Sequence, residues 1–396
     1  MHVCLLTVLA GAVHWSTAAA ELAAAAIIVR FAFSLRHVEP TAGARTRAAC
    51  RLRLALLLWG VYVLSVCISL VSSGELFTSG AGTLWRPLLF LAILLTPMSV
   101  QDLIRAGSVY LISGLAAGVT LLLINVAAGY QSPAIVFTGL TTFADLTALL
   151  VIITVATVAF HRTSPHLPVG IAAAGMLSMV ILFWTAARAP VAIIVIAGGI
   201  MIAVSRPRLL VLWGILMGSL FILAPPGLRA RTAWVMRGNP IDRYIVWEEG
   251  GRHLTDVPLF GSGPNSYALT LSPAALNRFV NRPPASWHND FLQTALDYGP
   301  VAATAWGGLV LLSAVAACRV VWACRRDGRR FARAIPGMAC LSLTALGLVG
   351  SVVTTAILGS VYWTVMGLAL REWTSSDSGS HPTPTRGTPS YRTEDL

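Results

Sequence analysis

The chain has 396 residues, of which 56% are hydrophobic and only 11% are charged, and its mean hydropathy is +0.75. A soluble globular domain usually has about a quarter of its residues charged, so this composition excludes a water-soluble protein and predicts one embedded in a membrane. The formal net charge is +12, and the sequence contains no lysine, so the cationic side chains are arginines. They cluster at the ends of apolar runs, which indicates contact with anionic membrane lipids and argues against nucleic acid as a partner.

Apolar runs recur along the chain, and a helix needs about 20 such residues to cross a bilayer. The predicted fold class is all-α: a polytopic transmembrane helical bundle of about 11–12 spans with one long extracytoplasmic loop. Residues 3–13 are too short to cross, so residues 1–16 could be the stub of a first helix, a re-entrant piece or the product of a misassigned start codon. The spans are predicted at 17–35, 53–72, 84–99, 106–127, 144–160, 168–187, 189–204, 208–224, 289–318, 334–351 and 353–370.

Arginine-rich loops predict how these helices are oriented. With the spans above, each of the short loops that is rich in arginine falls on the same side of the membrane. The positive-inside rule makes that side cytoplasmic. The arginines concerned are Arg36, Arg45, Arg47, Arg51, Arg53, Arg105, Arg162, Arg206, Arg208, Arg319, Arg325, Arg326, Arg329, Arg330 and Arg333.

The same alternation divides the chain into four segments. Residues 1–224 are predicted to hold the N-terminal transmembrane helices, and residues 289–372 the C-terminal ones. Between them, residues 225–288 are predicted to form the extracytoplasmic loop, which is rich in Pro, Asn and charged residues and is expected to carry active-site residues. Residues 373–396 are rich in Ser, Thr and Pro and are predicted to be a disordered cytoplasmic tail.

The cysteines indicate packing rather than metal binding. All six lie in or beside apolar runs, and none lies in the long loop. Cys318 and Cys324 are spaced too widely for a CxxC metal site. We therefore expect no disulfide, no metal and no cofactor.

Two arginines stand at predicted outer helix ends. Arg86 lies just inside an outer helix start, and Arg188 lies between two spans that are joined by almost no loop. An ionisable residue in such a place is a functional candidate. The alternative is that each guanidinium group only reaches out to lipid headgroups.

The long loop contains a charged stretch whose apolar spacing predicts a helix lying on the membrane surface. Arg243 could be one arm of a diphosphate clamp, since a guanidinium group matches phosphate oxygens in a bidentate fork. Alternatively, it pairs with Glu248 or Glu249 and has no further role. Arg252 and His253 follow, and His253 is a reserve proton acceptor.

The loop ends at a histidine that stands where the next apolar run begins. Ser286 is the predicted N-cap of that helix, and the carboxylate of Asp290 suits its first turn. Because the helix dipole disfavours a protonated imidazole, His288 is expected to be neutral and able to accept a proton from a sugar hydroxyl. Alternatively, His288 and Trp287 only anchor the helix at the membrane boundary.

The segment His288-Asn289, followed after nine residues by Gly299, resembles a motif of the O-antigen ligase and O-antigen polymerase superfamily. These are integral-membrane glycosyltransferases of bacterial surface polysaccharides, in which a His-Asn motif closes a long outer loop late in the chain. The other motifs occur in the family's order. Arg188 is similar to an arginine at an outer helix turn, Arg243 to one shortly before a tryptophan, and PLFGSGPNSY to a PLxGxGPxxF-like turn.

The resemblance covers residues 135–310. At three positions the chain departs from the family's usual residues, which bears on the branch of the family that it resembles. Pro300-Val301-Ala302 follows Gly299 where the family often has GxxG, Asp297 stands where Glu is common, and Ala187 stands where Ser is usual.

The resemblance implies a protein of the bacterial cytoplasmic (inner) membrane whose active site is extracytoplasmic. It would transfer or polymerise undecaprenyl-diphosphate-linked oligosaccharide, as a polysaccharide polymerase or an O-antigen ligase, in a metal-independent, inverting reaction. Arg188 and Arg243 would bind the diphosphate, and His288 would orient or deprotonate the acceptor hydroxyl. The partners would be the lipid-linked glycan donor and a sugar-chain, lipid or protein acceptor. Supporting roles would fall to Asn289, Arg252, His253 and Arg86.

Two other functions remain open at this point. A transporter or flippase of polysaccharide or lipid-linked sugar also fits the helix count and the basic loop. It should, however, have acids at the membrane midplane or broken helices in paired positions, whereas Asp145 and Glu21 lie near the ends of their spans. A structural membrane scaffold predicts that substituting the outer arginines has no effect.

Overall fold

The computed structural model describes residues 2–34, 46–76, 81–96, 98–127, 140–160, 167–185, 187–224, 229–230, 233, 242–277, 286–326 and 331–376. Within these ranges the secondary structure is helical and contains no strand, which confirms the all-α class. The N-terminal helices are α1 (His2–Ala12), α2 (Thr17–Ser34), α3 (Thr46–Ser72), α4 (Ala81–Leu95), α5 (Val100–Ala127), α6 (Leu140–Phe160), α7 (Leu167–Trp184), α8 (Arg188–Ser205) and α9 (Leu210–Leu223), the last preceded by the 3₁₀ turn Pro207–Leu209.

Three short helices follow within the predicted long loop, and three longer ones complete the chain. The short ones are α10 (Asp242–His253), α11 (Ser266–Thr270) and α12 (Pro273–Leu276). The longer ones are α13 (Asp290–Arg326), α14 (Phe331–Gly347) and α15 (Ala356–Ser376). The rest of the predicted loop, residues 225–228, 231–232, 234–241 and 278–285, lies outside the described residues.

In the described part of the chain, five helices are long and apolar enough to cross a membrane. They contain the segments Ala49–Ser72, Gln101–Ile124, Thr141–Ala159, Arg188–Ser205 and Asp290–Ala323. Shorter apolar helices accompany them, and α4, for example, has 15 residues, or about 22 Å at 1.5 Å per residue. The chain is therefore a membrane protein, but the predicted count of 11–12 spans is not confirmed.

The main apolar core takes buried side chains from α1–α6 and from the C-terminal three helices, and a second one lies among α6, α7, α8 and α9. α13 packs along α3 and α14, α15 packs along α4 and α14, and α6 contacts α7, α8 and α14. Trp306, Tyr298, Tyr362 and Trp363 are among the largest fully buried side chains of the main core. The N-terminal α1 has 11 residues, too few to cross a bilayer, and it packs on α2 and α5.

The end of α15 is held by arginines of two other helices. Trp373 is buried, and the guanidinium carbons of Arg51 and Arg319 lie 4.4 and 5.2 Å from its ring centroid. Such cation–π contacts stabilise this end of α15, which continues to Ser376. The tail predicted from residue 373 therefore starts too early, and the remainder of it, residues 377–396, lies outside the described residues.

The two ends of the bundle differ in their contacts. At one end, Arg333 lies 3.5 Å from Glu372, and Arg371 donates a hydrogen bond of 2.7 Å to the carbonyl oxygen of Met98. At the other end, α14 stops at Gly347 and a turn of residues 348–355 leads into α15; this is called the 348–355 turn below. Because α14 has 17 residues, its two ends are about 25 Å apart. Arginines that the sequence predicts to be cytoplasmic thus lie together at one end of the bundle. Which side of the membrane this end faces stays a prediction.

Candidate functional site

The histidine singled out by the sequence lies in an unusual backbone conformation directly before α13. His288 has a φ of +49°, in the left-handed region that costs non-glycine residues free energy and is frequent at functional sites. The next residue caps the helix, because the side-chain Oδ1 of Asn289 accepts hydrogen bonds from the backbone N–H groups of Phe291 at 2.9 Å and Leu292 at 3.1 Å. The imidazole is therefore held at a defined turn.

The predicted N-cap was wrong by three residues. Ser286 does not cap α13, since its Oγ lies 2.8 Å from the Oγ of Ser351 in the 348–355 turn. Asn289, directly after the left-handed residue His288, takes the capping position instead.

A buried tryptophan fixes the backbone on the other side of the histidine. Trp287 is fully buried, and its Nε1 donates to Ser266 Oγ at 3.2 Å. Its carbonyl oxygen accepts a hydrogen bond from Trp247 Nε1 at 3.1 Å, and its ring meets Tyr267 edge-on with centroids 5.3 Å apart. The indole thus joins α10 and α11 to the start of α13 and limits the movement of the neighbouring imidazole.

Arg243 lies close enough to Arg188 and to His288 for its charge to interact with both. Burial lowers the pKa of Arg243, and the positive charge of Arg188 lowers it further, while Asp145 opposes the shift. Burial and the charge of Arg243 together lower the pKa of His288 to about 4. The structure therefore brings together three residues that are up to 100 positions apart in the chain.

The position of Arg188 favours an anion. It is the first residue of α8, and its side chain is exposed. The N-terminus of a helix carries the positive end of the helix dipole, which disfavours a cation and attracts an anion. Arg243 is a second guanidinium group nearby, and Asp145 offsets part of its charge. A phosphate group would reduce the repulsion between the two arginines.

The 348–355 turn joins the parts of this site and was not identified from the sequence. The carboxylate oxygen Oδ2 of Asp290 accepts hydrogen bonds from the backbone N–H groups of Val352 at 3.0 Å and Val353 at 3.1 Å. Arg243 donates to the carbonyl oxygen of Val349 in the same turn. Ser351, Thr354 and Thr355 are the polar residues of this segment, but Val352 and Val353 separate them, so the sequence 347–355 does not mark the turn clearly.

The contacts of Arg243 and Arg252 in α10 differ from those that the sequence predicted. Arg252 bonds with Glu248 and with Glu249, the latter at 3.2 Å, and its side chain is 62% exposed. Glu248 and Glu249 precede Arg252 by four and three residues and therefore lie on its face of α10, whereas Arg243 precedes them by five or six. The predicted alternative pairing of Arg243 with these glutamates is thus wrong. His253 is half-buried at the last position of α10.

Arg86 reaches the same turn from the opposite side. Its Nη2 lies 3.4 Å from Glu21 Oε1, and its Nη1 donates to the carbonyl oxygen of Thr354 at 3.1 Å. It therefore contributes to the position of the 348–355 turn, and no contact found in the described residues joins it directly to His288.

Two glycines of the family-like motifs meet where the loop docks on α13. Gly299, at the kink of α13, has a φ of +86°, and a Cβ there would lie 2.2 Å from the carbonyl oxygen of Leu259. A Cβ on Gly261 would likewise lie 2.2 Å from the carbonyl oxygen of Asp297. The backbones are in direct contact, so the glycine-rich turn serves loop docking.

The acid of the motif fastens the same loop. Asp297 is buried, and its Oδ1 accepts hydrogen bonds from the backbone N–H of Ser266, at 3.1 Å, and from the hydroxyl of Ser266. Its Oδ2 accepts from Gln293 Nε2. A carboxylate that is satisfied in this way is a structural clamp between α13 and α11.

Comparison with known proteins identifies no relative of this chain. No protein-family model matches it, and no curated protein matches its sequence.

Proposed function

We propose that the chain is a membrane glycosyltransferase that transfers or polymerises undecaprenyl-diphosphate-linked oligosaccharide on the outer face of the bacterial cytoplasmic membrane. The observation that carries this proposal is that Arg243 lies near both Arg188 and His288 at one end of the helical bundle and lowers the pKa of His288. The resemblance of the motifs supplies the substrate class and the side of the membrane.

In this mechanism the arginines stabilise the leaving group. Negative charge develops on the diphosphate as the glycosidic bond breaks, and Arg188 and Arg243 would stabilise it in a partly desolvated site. One well-placed donor of this kind contributes about 3 kcal/mol to transition-state stabilisation. The unfavourable placement of a cation at the start of α8 is then offset by the bound anion.

His288 would act on the acceptor. Because its pKa is about 4 in the unliganded site, the imidazole is neutral at pH 7 and can accept a hydrogen bond from a sugar hydroxyl. A diphosphate bound to Arg243 would cancel the charge that lowers this pKa and make the imidazole a stronger base. General-base catalysis of this kind contributes about 10²–10⁴-fold in rate.

One observation favours transport as the second candidate. Asp290 is buried at the first residue of a membrane-spanning segment, and its Oδ1 has no hydrogen-bond partner within the described residues. Carboxylates in such positions can carry protons in transporters. Flipping of a labelled lipid-linked sugar in vesicles, abolished by Asp290→Asn and retained in His288→Ala, would support this function over transfer.

The test is complementation of a deletion strain by His288→Ala, Arg188→Ala and Arg243→Ala, with Arg208→Ala at the opposite end of the bundle as the control. We expect each of the three to abolish transfer of the polymer while the protein still inserts, and the control to restore surface glycan. Normal surface glycan from all three variants would refute the proposal. The material that accumulates in the deletion strain distinguishes a polymerase from a ligase. Single lipid-linked repeats indicate a lost polymerase, and full-length unattached chains indicate a lost ligase.

A further inference from the structure

A large apolar cavity lies inside the bundle, away from the site described above. Its volume is about 400 Å³, and apart from a few hydroxyl groups its walls are aliphatic. An apolar cavity of even about 150 Å³ stays dry and takes up molecules such as benzene. α1, α5, α6, α14 and α15 enclose it, with lining residues that include Leu6, Val13, Ile104, Leu149, Ile335 and Leu368.

The cavity opens along one face of α5. Ile104 is 49% exposed, and Ser108, four residues later on the same helical face, is also exposed. Both residues line the cavity. In a membrane, the molecules beside this opening are lipids, whose acyl chains match the walls.

The charged residues nearest in sequence to the cavity lining, called its rim below, are mostly basic. Arg105, Arg333 and Arg371 each lie within three residues of a lining residue, at the end of the bundle opposite to His288. The side chains of Arg105 and Arg333 are 69% and 35% exposed. Asp102, 4.0 Å from Arg105, and Glu372, 3.5 Å from Arg333, leave the rim with a net positive charge. An anionic headgroup complements that charge, and guanidinium groups bind phosphate in a bidentate manner.

We propose that this cavity is a binding site for an anionic phospholipid, with an acyl chain between α5 and α14 and the phosphate at Arg105 and Arg333. The proposal does not depend on the glycosyltransferase function. A donor lipid would place its diphosphate at the other end of the bundle, about 25 Å away along α14.

A glycine on the cavity wall allows a test that fills the space. Gly107 lines the cavity, and a Cβ there meets no atom within 4 Å, so the side chain introduced by Gly107→Leu starts in open space on the cavity wall. The control is Gly60→Leu, because a Cβ at Gly60 also meets no atom within 4 Å, and Gly60 does not line the cavity. Binding of phosphatidylglycerol and phosphatidylethanolamine to the delipidated full-length protein is measured by native mass spectrometry.

We expect wild type and Gly60→Leu to bind phosphatidylglycerol more tightly than phosphatidylethanolamine. In Gly107→Leu the affinity should fall by about tenfold or more, because several buried methylene groups are displaced. Unchanged binding in Gly107→Leu, or equal affinity of wild type for the two lipids, would overturn the proposal.

The rim is tested separately. The single variant Arg105→Gln, and the double variant that combines Arg105→Gln with Arg333→Gln, should lose the preference for phosphatidylglycerol. Both should bind phosphatidylethanolamine as before. Arg208→Gln, at the turn between α8 and α9, removes one cation elsewhere and should keep the preference. If Arg208→Gln weakens phosphatidylglycerol binding as much as Arg105→Gln, the headgroup contact is refuted.

Discussion

The kink of α13 at Gly299 predicts that alanine lowers the stability of the protein at this position, whereas alanine at another glycine of the same helix does not. Gly299 has φ +86° and ψ 168°, a conformation that is essentially restricted to glycine and costs other residues about 1–3 kcal/mol. In Gly299→Ala the added Cβ would also lie 2.2 Å from the carbonyl oxygen of Leu259 and 2.6 Å from the backbone N of Gly261. These atoms belong to the backbone and cannot rotate away.

Relief of this clash requires the loop to move off α13. That movement would break the hydrogen bonds from Ser262 N–H to the carbonyl oxygen of Leu296, at 3.0 Å, and from Gly263 N–H to that of Asp297, at 2.9 Å. At about 1 kcal/mol each, and with the backbone strain added, Gly299→Ala should cost about 3 kcal/mol or more. That is roughly a hundredfold shift in the equilibrium between docked and undocked loop.

Gly307→Ala is the matched control, eight residues further along the same helix. A Cβ on Gly307 meets only Phe291 Cε1 at 3.8 Å, an ordinary contact, so alanine should stabilise the helix by about 0.5–1 kcal/mol. The midpoint of thermal unfolding in detergent, followed by size-exclusion chromatography, should therefore fall for Gly299→Ala and rise or stay constant for Gly307→Ala. A Gly299→Ala protein as stable as wild type would refute the docking described above.

Three further changes test the site. Because the pKa of His288 is about 4 in the unliganded site, kcat/KM for transfer, which reports the free enzyme, should persist as the pH falls from 7 to 5 and be lost only as the pH passes through about 4. In the unfolded chain this imidazole takes up its proton near pH 6.5, so acidification from pH 6.5 toward 4 should also lower stability. A kcat/KM midpoint near pH 6.5 would contradict the lowered pKa on which both expectations rest. Asp297→Asn should lower the unfolding temperature, at a cost of about 1–3 kcal/mol, because the amide nitrogen cannot accept a hydrogen bond, whereas Asp256→Asn on the exposed surface should not. Arg252→Gln should change stability by less than about 1 kcal/mol and leave transfer intact, and loss of transfer would show that Arg252 belongs to the site.

The helical class was predictable because length and hydropathy alone determine it, whereas the helix boundaries depend on contacts between distant residues. The sequence 347–355 is apolar enough to continue a helix, so two spans were predicted with a break at residue 352 alone. In the structure α14 stops at Gly347 and α15 begins at Ala356. The carboxylate of Asp290 accepts the backbone N–H groups of Val352 and Val353 there, and no local pattern encodes such a contact.

The candidate site shows the same division between local and distant information. Arg188, Arg243 and His288 stood out because each is ionisable and lies at a helix end, which is a local property. The capping of α13 by Asn289 rather than Ser286 depends on the left-handed backbone at His288 and on the burial of Trp287, which pattern reading does not give.

The 348–355 turn has a consequence for the order in which the protein matures. A ribosome releases the chain from its N-terminus, so Arg243 and Asp290 emerge before the turn that contacts them has been synthesised. Ser286 also has its partner in that turn. The loop before α13 therefore gains these contacts only after the last helical hairpin has entered the membrane, and a nascent chain that stops before residue 348 lacks all of them.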